Sequence, residues 1–185
     1  MLTHVGTKTI ETPRLILRRA READAQPMFQ NWASDPEVTK FLTWPTHDNV
    51  AVTQWVVNDW VSQSEKDNYY QWMIELKDLE QPIGSISVVQ QNDTVGEMEI
   101  GYCIGKNWWH QGIVTEALGA VIDFLFTQAN ANRIEAKHDT KNPNSGAVMR
   151  KCGMVFEGIS RAGGRNNLGL CDIANYAILR SDWEK

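Results

Sequence analysis

Cysteine, basic charge and long apolar runs are what this sequence has least of. Its three cysteines, Cys103, Cys152 and Cys171, make no CxxC pair, and an odd number cannot all be bonded within one chain. With four scattered histidines they offer no zinc-ligand spacing, so no metal is expected. That cysteine usage fits a reduced, cytoplasmic protein. Lys and Arg total 18 against 23 Asp and Glu, a net charge of −5. General nucleic-acid binding works through basic patches that displace counterions, so no nucleic-acid partner is expected. No apolar run approaches the ~20 residues of a membrane span. The opening MLTHVGTKTIETPR contains no apolar signal-peptide core. Internal repeats, low-complexity tracts and linker-like stretches are missing as well.

A chain of 185 residues suits one domain, taken as residues 1–185. It is long enough to bury a core without disulfide or metal staples. With 42% hydrophobic and 22% charged residues it has the mix of a folded globular chain. Of the eight tryptophans, all but Trp183 lie between Trp32 and Trp109. Helical or alternating spacing makes most of them core residues. The segment Phe41 to Asp48 (FLTWPTHD) stands apart as an aromatic stretch between helices.

Periodicity sets out the elements. Arg14 to Arg19 reads as a strand after a proline. Asp24 to Lys40 reads as helix in two pieces, broken before Asp35-Pro36. Asp48 to Gln63 reads as a helix with a wide apolar face (Val52, Trp55, Val56, Trp60, Val61), capped by Thr46 or Asp48. Tyr70 to Leu76, Ile83 to Val89 and Glu97 to Ile104 alternate and are joined by short polar turns, the pattern of an antiparallel meander. Val114, Leu118, Val121 and Leu125 then follow helical spacing within Trp108 to Gln128. A strand (Arg133 to His138) and a helix (Pro143 to Lys151) come next, the helix capped by Asn142 and closed by Gly153. Met154 to Arg161 and Cys171 to Leu179 read as strands around a Gly/Asn-rich loop. The order predicts an α+β domain, a mixed sheet with helices.

The richest stretch for chemistry is Ile104 to Ala117, where a strand ends, Gly112 turns the chain and a long helix begins near Ile113. A helix N-terminus exposes unpaired amides and positive partial charge, so it can hold phosphate without a basic side chain. The loop has no GK[ST] ending and no GxGxxG, so it is neither a Walker loop nor a dinucleotide turn. A second stretch, Asn142-Pro143-Asn144-Ser145, opens the later helix, and capping alone accounts for it.

Taken together and in order, these pieces resemble the GCN5-related N-acetyltransferase (GNAT) family, in the branch that acetylates ribosomal-protein N-termini. The resemblance spans nearly the whole chain: Glu11 to Arg18 (ETPRLILR), Glu99-Ile100-Gly101-Tyr102, Gly112 to Ala117 (GIVTEA), Asn142 to Ser145, Glu157-Gly158 and Ala177 to Trp183. It implies a splayed central mixed sheet, acetyl-CoA as donor and a primary amine as acceptor. The pyrophosphate loop of the family falls on Trp109, His110, Gln111, Gly112, Ile113 and Val114, with Thr115 next. Only Gly112 matches the family consensus strictly, and Val114 replaces a small residue. Tyr102, Cys103 and Ile104 take the place where the family pairs its backbone with the pantetheine arm. Asn142 takes the place of a residue bonding the pantetheine amides. Ser145 matches a serine facing the departing thiolate, and Trp44 and His47 lie in the region of the acceptor loop.

The chemistry needs a base for the ammonium, a donor for the oxyanion and a donor for the thiolate. Glu99 is the first candidate for the base, with Glu97, His110 and His138 behind it. An aromatic-lined cleft around Glu99 would raise its pKa. The region Arg161-Ala162-Gly163-Gly164, where relatives place a carboxylate, has none. Three readings stay open: a transferase for protein N-termini, one for a small amine (polyamine, aminoglycoside or amino acid), and a CoA-binding module without turnover. Either a monomer or a homodimer is compatible with the sequence.

Overall fold

The computed structural model describes residues 1–184. A short strand β1 (Ile10–Glu11) turns at Pro13 into β2 (Leu15–Arg18). Buried Arg18 then holds both oxygens of Asp24 at 2.8 Å and also bonds Glu75, tying β2 to the helices that follow. Those helices are α1 (Ala25–Met28), widened into a π-turn over Phe29–Ala33, and the brief α2 (Pro36–Thr39), whose cap is Asp35. The break before Asp35-Pro36 falls where predicted. Helix α3 (Val50–Gln63) leads to the meander β3 (Gln71–Leu76), β4 (Gln81–Asn92) and β5 (Glu97–Ile104), antiparallel throughout. Helix α4 (Ile113–Thr127), β6 (Arg133–Asp139), α5 (Pro143–Lys151), β7 (Val155–Asn166), β8 (Gly169–Leu179) and a terminal turn α6 (Arg180–Trp183) complete the chain.

The eight strands form one mixed sheet in the order β1-β2-β3-β4-β5-β6-β8-β7. Alternation along the strands separates two cores. Trp72, Ile74, Met98 and Ile100 face α4, where Leu118, Val121 and Leu125 are buried. Met73 faces the other way, onto Met28, Trp32 and Val57 of the α1–α3 layer. The expected mixed sheet with helices on it is the one observed.

The feature that positions a site is the contact between β5 and β6. Among the described residues it is the only parallel pairing in the sheet. It runs from Glu97↔Arg133 only to Ile100↔Ala136, although β5 continues to Ile104 and β6 to Asp139. The strands therefore part after Ile100. On the other side of β5, the pairing with β4 has a bulge at Val89. Its methyl would sit 2.9 Å from a Cβ on Gly101, which accounts for that glycine.

Four local expectations need correction. Helix α3 is capped by Asn49, whose Oδ1 accepts from Ala51 and Val52, and not by Thr46 or Asp48. Thr46 is engaged elsewhere, sharing a 2.6 Å hydroxyl bond with Thr39. The buried stripe of α3 is Thr53 and Val57, with Trp60 and Val61 partly covered, while Trp55 stands 74% exposed. Asn142 occupies the N-cap position of α5 but its side chain makes no capping bond. The predicted Gly/Asn-rich loop is largely strand: β7 and β8 extend almost to their turn, with a register shift between Ser160 and Gly164.

Candidate cofactor and active site

Backbone groups alternate sides along β5. Gly105 N–H donates to Ile83 O on β4, and Cys103 stands opposite Ser85. Odd-numbered residues thus bond β4, and the amides of Tyr102 and Ile104 point into the gap beyond Ile100. The carbonyl of Ile104 is already used, accepting Trp109 Nε1 at 3.0 Å. That bond folds the loop after β5 back onto its end. Two left-handed residues, His110 (φ 61°) and Gly112 (φ 73°), then turn the chain into α4. Histidine tolerates this region better than bulky residues do, and glycine enters it freely. The first intrahelical bond is Glu116 N to Gly112 O. The amides from Ile113 to Thr115 therefore have no intrahelical partner and lie beside the mouth of the gap. Ile113 is buried in the core and Val114 packs against it, while His110, Gln111 and Gly112 are exposed.

Across the gap, α5 presents Ser145. Tyr102 Oη donates to the Ser145 carbonyl at 3.0 Å and lies 3.0 Å from Ser145 Oγ. This contact bridges the two sides of the opening. Burial pushes the Tyr102 phenol well above its usual range, so it stays protonated. With its proton on the carbonyl, it accepts from Ser145 Oγ–H. With its proton turned to Oγ, it frees the serine proton. Among the described residues the Asn142 side chain makes no capping or other hydrogen bond, so its amide is available to a ligand.

The cysteines are not nucleophiles. Cys103 is half-buried near Ser85 Oγ (3.5 Å) and packs on the α1–α3 side. Burial raises its thiol, and raises Cys152 to about 11. Cys171 is raised by burial and then by Asp139 and Asp172. A thiolate is the reactive form, so none is supplied here at neutral pH.

The candidate base is placed differently from the expectation. Glu99 lies on β5 just before the split, but it accepts a 2.7 Å bond from Lys137 Nζ. Its neighbours are an ion-pair ladder, Glu97–Arg133–Glu135–Lys137–Glu99, and not an aromatic-lined cleft. His47 is also corrected. It is 6% exposed and its Nδ1 bonds Thr53 Oγ1 at 2.7 Å, which leaves it inside the fold and not facing an acceptor. Trp44 is half-buried beside it, ring centroids 5.3 Å apart.

Sequence reasoning missed Asn167. Its side chain donates to Thr39 O (2.9 Å) and Trp44 O (2.8 Å), lacing the β7–β8 turn to the 41–48 loop. It also missed Asp139, which accepts from Asn166 Nδ2 and from Lys141 N, pinning the turn into α5. Apart from the local Lys141 contact, these bonds join distant segments, and no local spacing announces them. Among the described residues no group of His, Cys, Asp or Glu is placed to hold a metal. Among these residues no helix is long and apolar enough to cross a membrane.

A sheet that opens beside a helix N-terminus is the architecture of an acyl-CoA-dependent transferase. The family pattern described as acetyltransferase (GNAT) domain matches residues 14–155, and the chain belongs to that family. It is similar to p20 of Bacillus licheniformis, described as an uncharacterized N-acetyltransferase, at 30% identity over 179 residues, covering 95% of this chain and 98% of that one. Its fold matches the ribosomal-protein-S5-alanine acetyltransferase of Vibrio fischeri with a TM-score of 0.83 at 18% identity, covering 96% and 100% of the two chains. It also matches the microcin C7 self-immunity acetyltransferase MccE, solved with acetyl-CoA and AMP, with a TM-score of 0.81 at 19% identity over 91% and 93%. The protein is an acetyl-CoA-dependent N-acetyltransferase.

Proposed function

We propose that this chain, as a single domain over residues 1–185, acetylates the α-amine of a protein N-terminus in the cytoplasm. The observation that carries the reading is the parting of β5 and β6 after Ile100, with free amides on one side and Ser145 and Asn142 on the other. The unreactive thiols favour direct attack in a ternary complex over an acetyl-cysteine route. The choice of a protein acceptor is supported by the fold likeness to an S5-alanine acetyltransferase. It also suits the laced edge formed by the 41–48 loop and the β7–β8 turn, beside which a chain terminus can lie.

The cofactor supplies the acetyl group as an activated thioester. Backbone amides of residues 110–115 hold its phosphates, the Trp109 amide being engaged by Lys106 O, and Asn142 bonds the pantetheine amides. The amides of Tyr102 and Ile104 orient the thioester and donate to the oxygen where charge develops. The acceptor ammonium first loses a proton, to water or to Glu99 once Lys137 releases it. The amine nitrogen then bonds the carbonyl carbon, the C–S bond breaks and the sulfur leaves with the electron pair. Ser145 Oγ–H, steadied by Tyr102, hydrogen-bonds that sulfur, which takes up the proton that the nitrogen sheds in becoming the amide and leaves as the thiol.

The test is acetyl transfer to peptides beginning with Ala, Ser or Met, set against a panel of polyamines, aminoglycosides and amino acids. Peptide α-amines are expected to give the highest kcat/KM. A small amine preferred over every peptide refutes the protein acceptor.

A further inference from the structure

The loop Trp109 to Val114 contains no Lys or Arg, and the first turn of α4 carries a carboxylate, Glu116, close to where phosphates would lie. A cation reaches this place from elsewhere in the chain. Arg14, in the turn between β1 and β2, extends alongside the loop. Its Nη1 donates to Gln111 O at 2.9 Å and its Nε to Glu116 Oε2 at 2.7 Å. Its backbone amide donates to Glu116 Oε1 at 3.0 Å, and Thr12 Oγ1 donates to the same oxygen at 2.6 Å. The carboxylate is thereby tied sideways against the β1–β2 turn. The guanidinium keeps a second N–H on Nη1 and both on Nη2. Nη2 lies 3.7 Å from the position a Cβ on Gly112 would take and, among the described residues, donates to no protein group, the Arg14 bonds running through its backbone N, Nε and Nη1. The side chain is 46% exposed.

We propose that Arg14 is a binding residue for the phosphates of acetyl-CoA, supplying the cation that the loop lacks, with Glu116 as the positioning residue that aims it. A planar guanidinium with spare donors matches phosphate oxygens, and its charge offsets a carboxylate that would otherwise repel them. Because Gly112 has no side chain, nothing stands between Nη2 and the loop. The proposal rests on the assignment of residues 109–115 as the phosphate site.

The experiment compares wild type, Arg14→Met and Arg14→Lys with acetyl-CoA and with S-acetylpantetheine, which has neither phosphates nor adenosine. Arg14→Met should weaken acetyl-CoA binding by about 10- to 100-fold, the range of a charge-assisted hydrogen bond. It should also flatten the salt dependence of that binding and leave kcat/KM for S-acetylpantetheine unchanged. Arg14→Lys should recover part of the loss. Unchanged acetyl-CoA binding in Arg14→Met overturns the proposal. So does an equal loss with both donors, since that would report a collapsed loop. Val114→Glu separates the underlying assignment: it should abolish acetyl-CoA binding, and normal binding there would mean that the phosphates sit elsewhere, whatever Arg14 does.

Discussion

Gly146, next to Ser145 in α5, offers a direct test of how the active site is packed. A Cβ at this position would lie 2.5 Å from His138 Nε2, 3.1 Å from Cε1 and 3.3 Å from Cδ2. Comfortable contact begins near ~3.5 Å, so something must give by about an ångström. The ring is not free to turn. Its Nδ1 bonds Asp139 O at 2.7 Å and it stacks on Tyr176 with centroids 5.6 Å apart. The helix is held too, by buried Met149 and by the Tyr102 bond to Ser145. Overpacking of this kind costs about 1–3 kcal/mol. Replacing a helical glycine by alanine returns about 1 kcal/mol. Gly146→Ala should therefore destabilise by roughly 1 kcal/mol, lowering Tm by about 2–4 °C for a chain of this size. Activity should suffer more, because a shift of ~1 Å at a reacting group can cost about 100-fold.

The control is His138→Ala. Its buried Nε2 has no hydrogen-bond partner, so truncation strands no polar atom that the ring had satisfied through that nitrogen. In the His138→Ala background, Gly146→Ala should be neutral or stabilising by up to about 1 kcal/mol. Denaturant unfolding of the four proteins gives the coupling, and acetylation kinetics on the same set gives the functional half. If Gly146→Ala costs the same with and without the imidazole, the ring is not what demands glycine, and the reasoning fails.

Ser145→Ala should lower kcat by about 100-fold if its hydroxyl serves the departing thiolate, with the Kd for acetyl-CoA nearly unchanged; an unchanged kcat removes it from the mechanism. Glu99→Gln should lower kcat/KM mainly at low pH, where deprotonation of the amine limits the rate, and a pH profile overlaying wild type would assign the proton to water or another group. Glu116 makes a prediction about stability. Burial works against its charge, but bonds from Thr12 and Arg14 prevail and hold its pKa below the usual range. A lowered folded pKa stabilises the protein above the unfolded value of about 4.3 and is lost as pH falls through the folded one. Wild type should therefore lose its advantage over Glu116→Gln as pH drops below about 4.5 in denaturant titrations, and an advantage that stays constant into strong acid would show that the carboxylate is not held as described.

What the sequence makes legible here is local, and what it hides is pairwise. Strand β5 and helix α5 fall on their expected bounds because alternation from Glu97 to Ile104, and Pro143 with Gly153, are signals contained within the elements themselves. The sequence offers Thr46 and Asp48 as caps of α3, yet Asn49 takes the place. Thr39, a residue of another helix, decides part of it by occupying Thr46. The Gly/Asn-rich stretch near Arg161 looked like a loop, yet its glycines belong to an irregular strand. A Cβ on Gly164 would meet Ile173 at 2.7 Å, and one on Gly163 would meet Ser160 at 2.5 Å. The site follows the same division. The cofactor turn at Gly112 is visible because its conformation is set by its own backbone. Whether Glu99 can act as a base depends on Lys137, and whether Ser145 can serve a leaving group depends on Tyr102. Lys137 meets Glu99 where β5 and β6 are still paired, and Ser145 meets Tyr102 beyond the point where they part. The carboxylate and the hydroxyl therefore have to be tested together with their partners: Lys137→Met in the Glu99 series and Tyr102→Phe in the Ser145 series address the interactions that single-residue readings leave out.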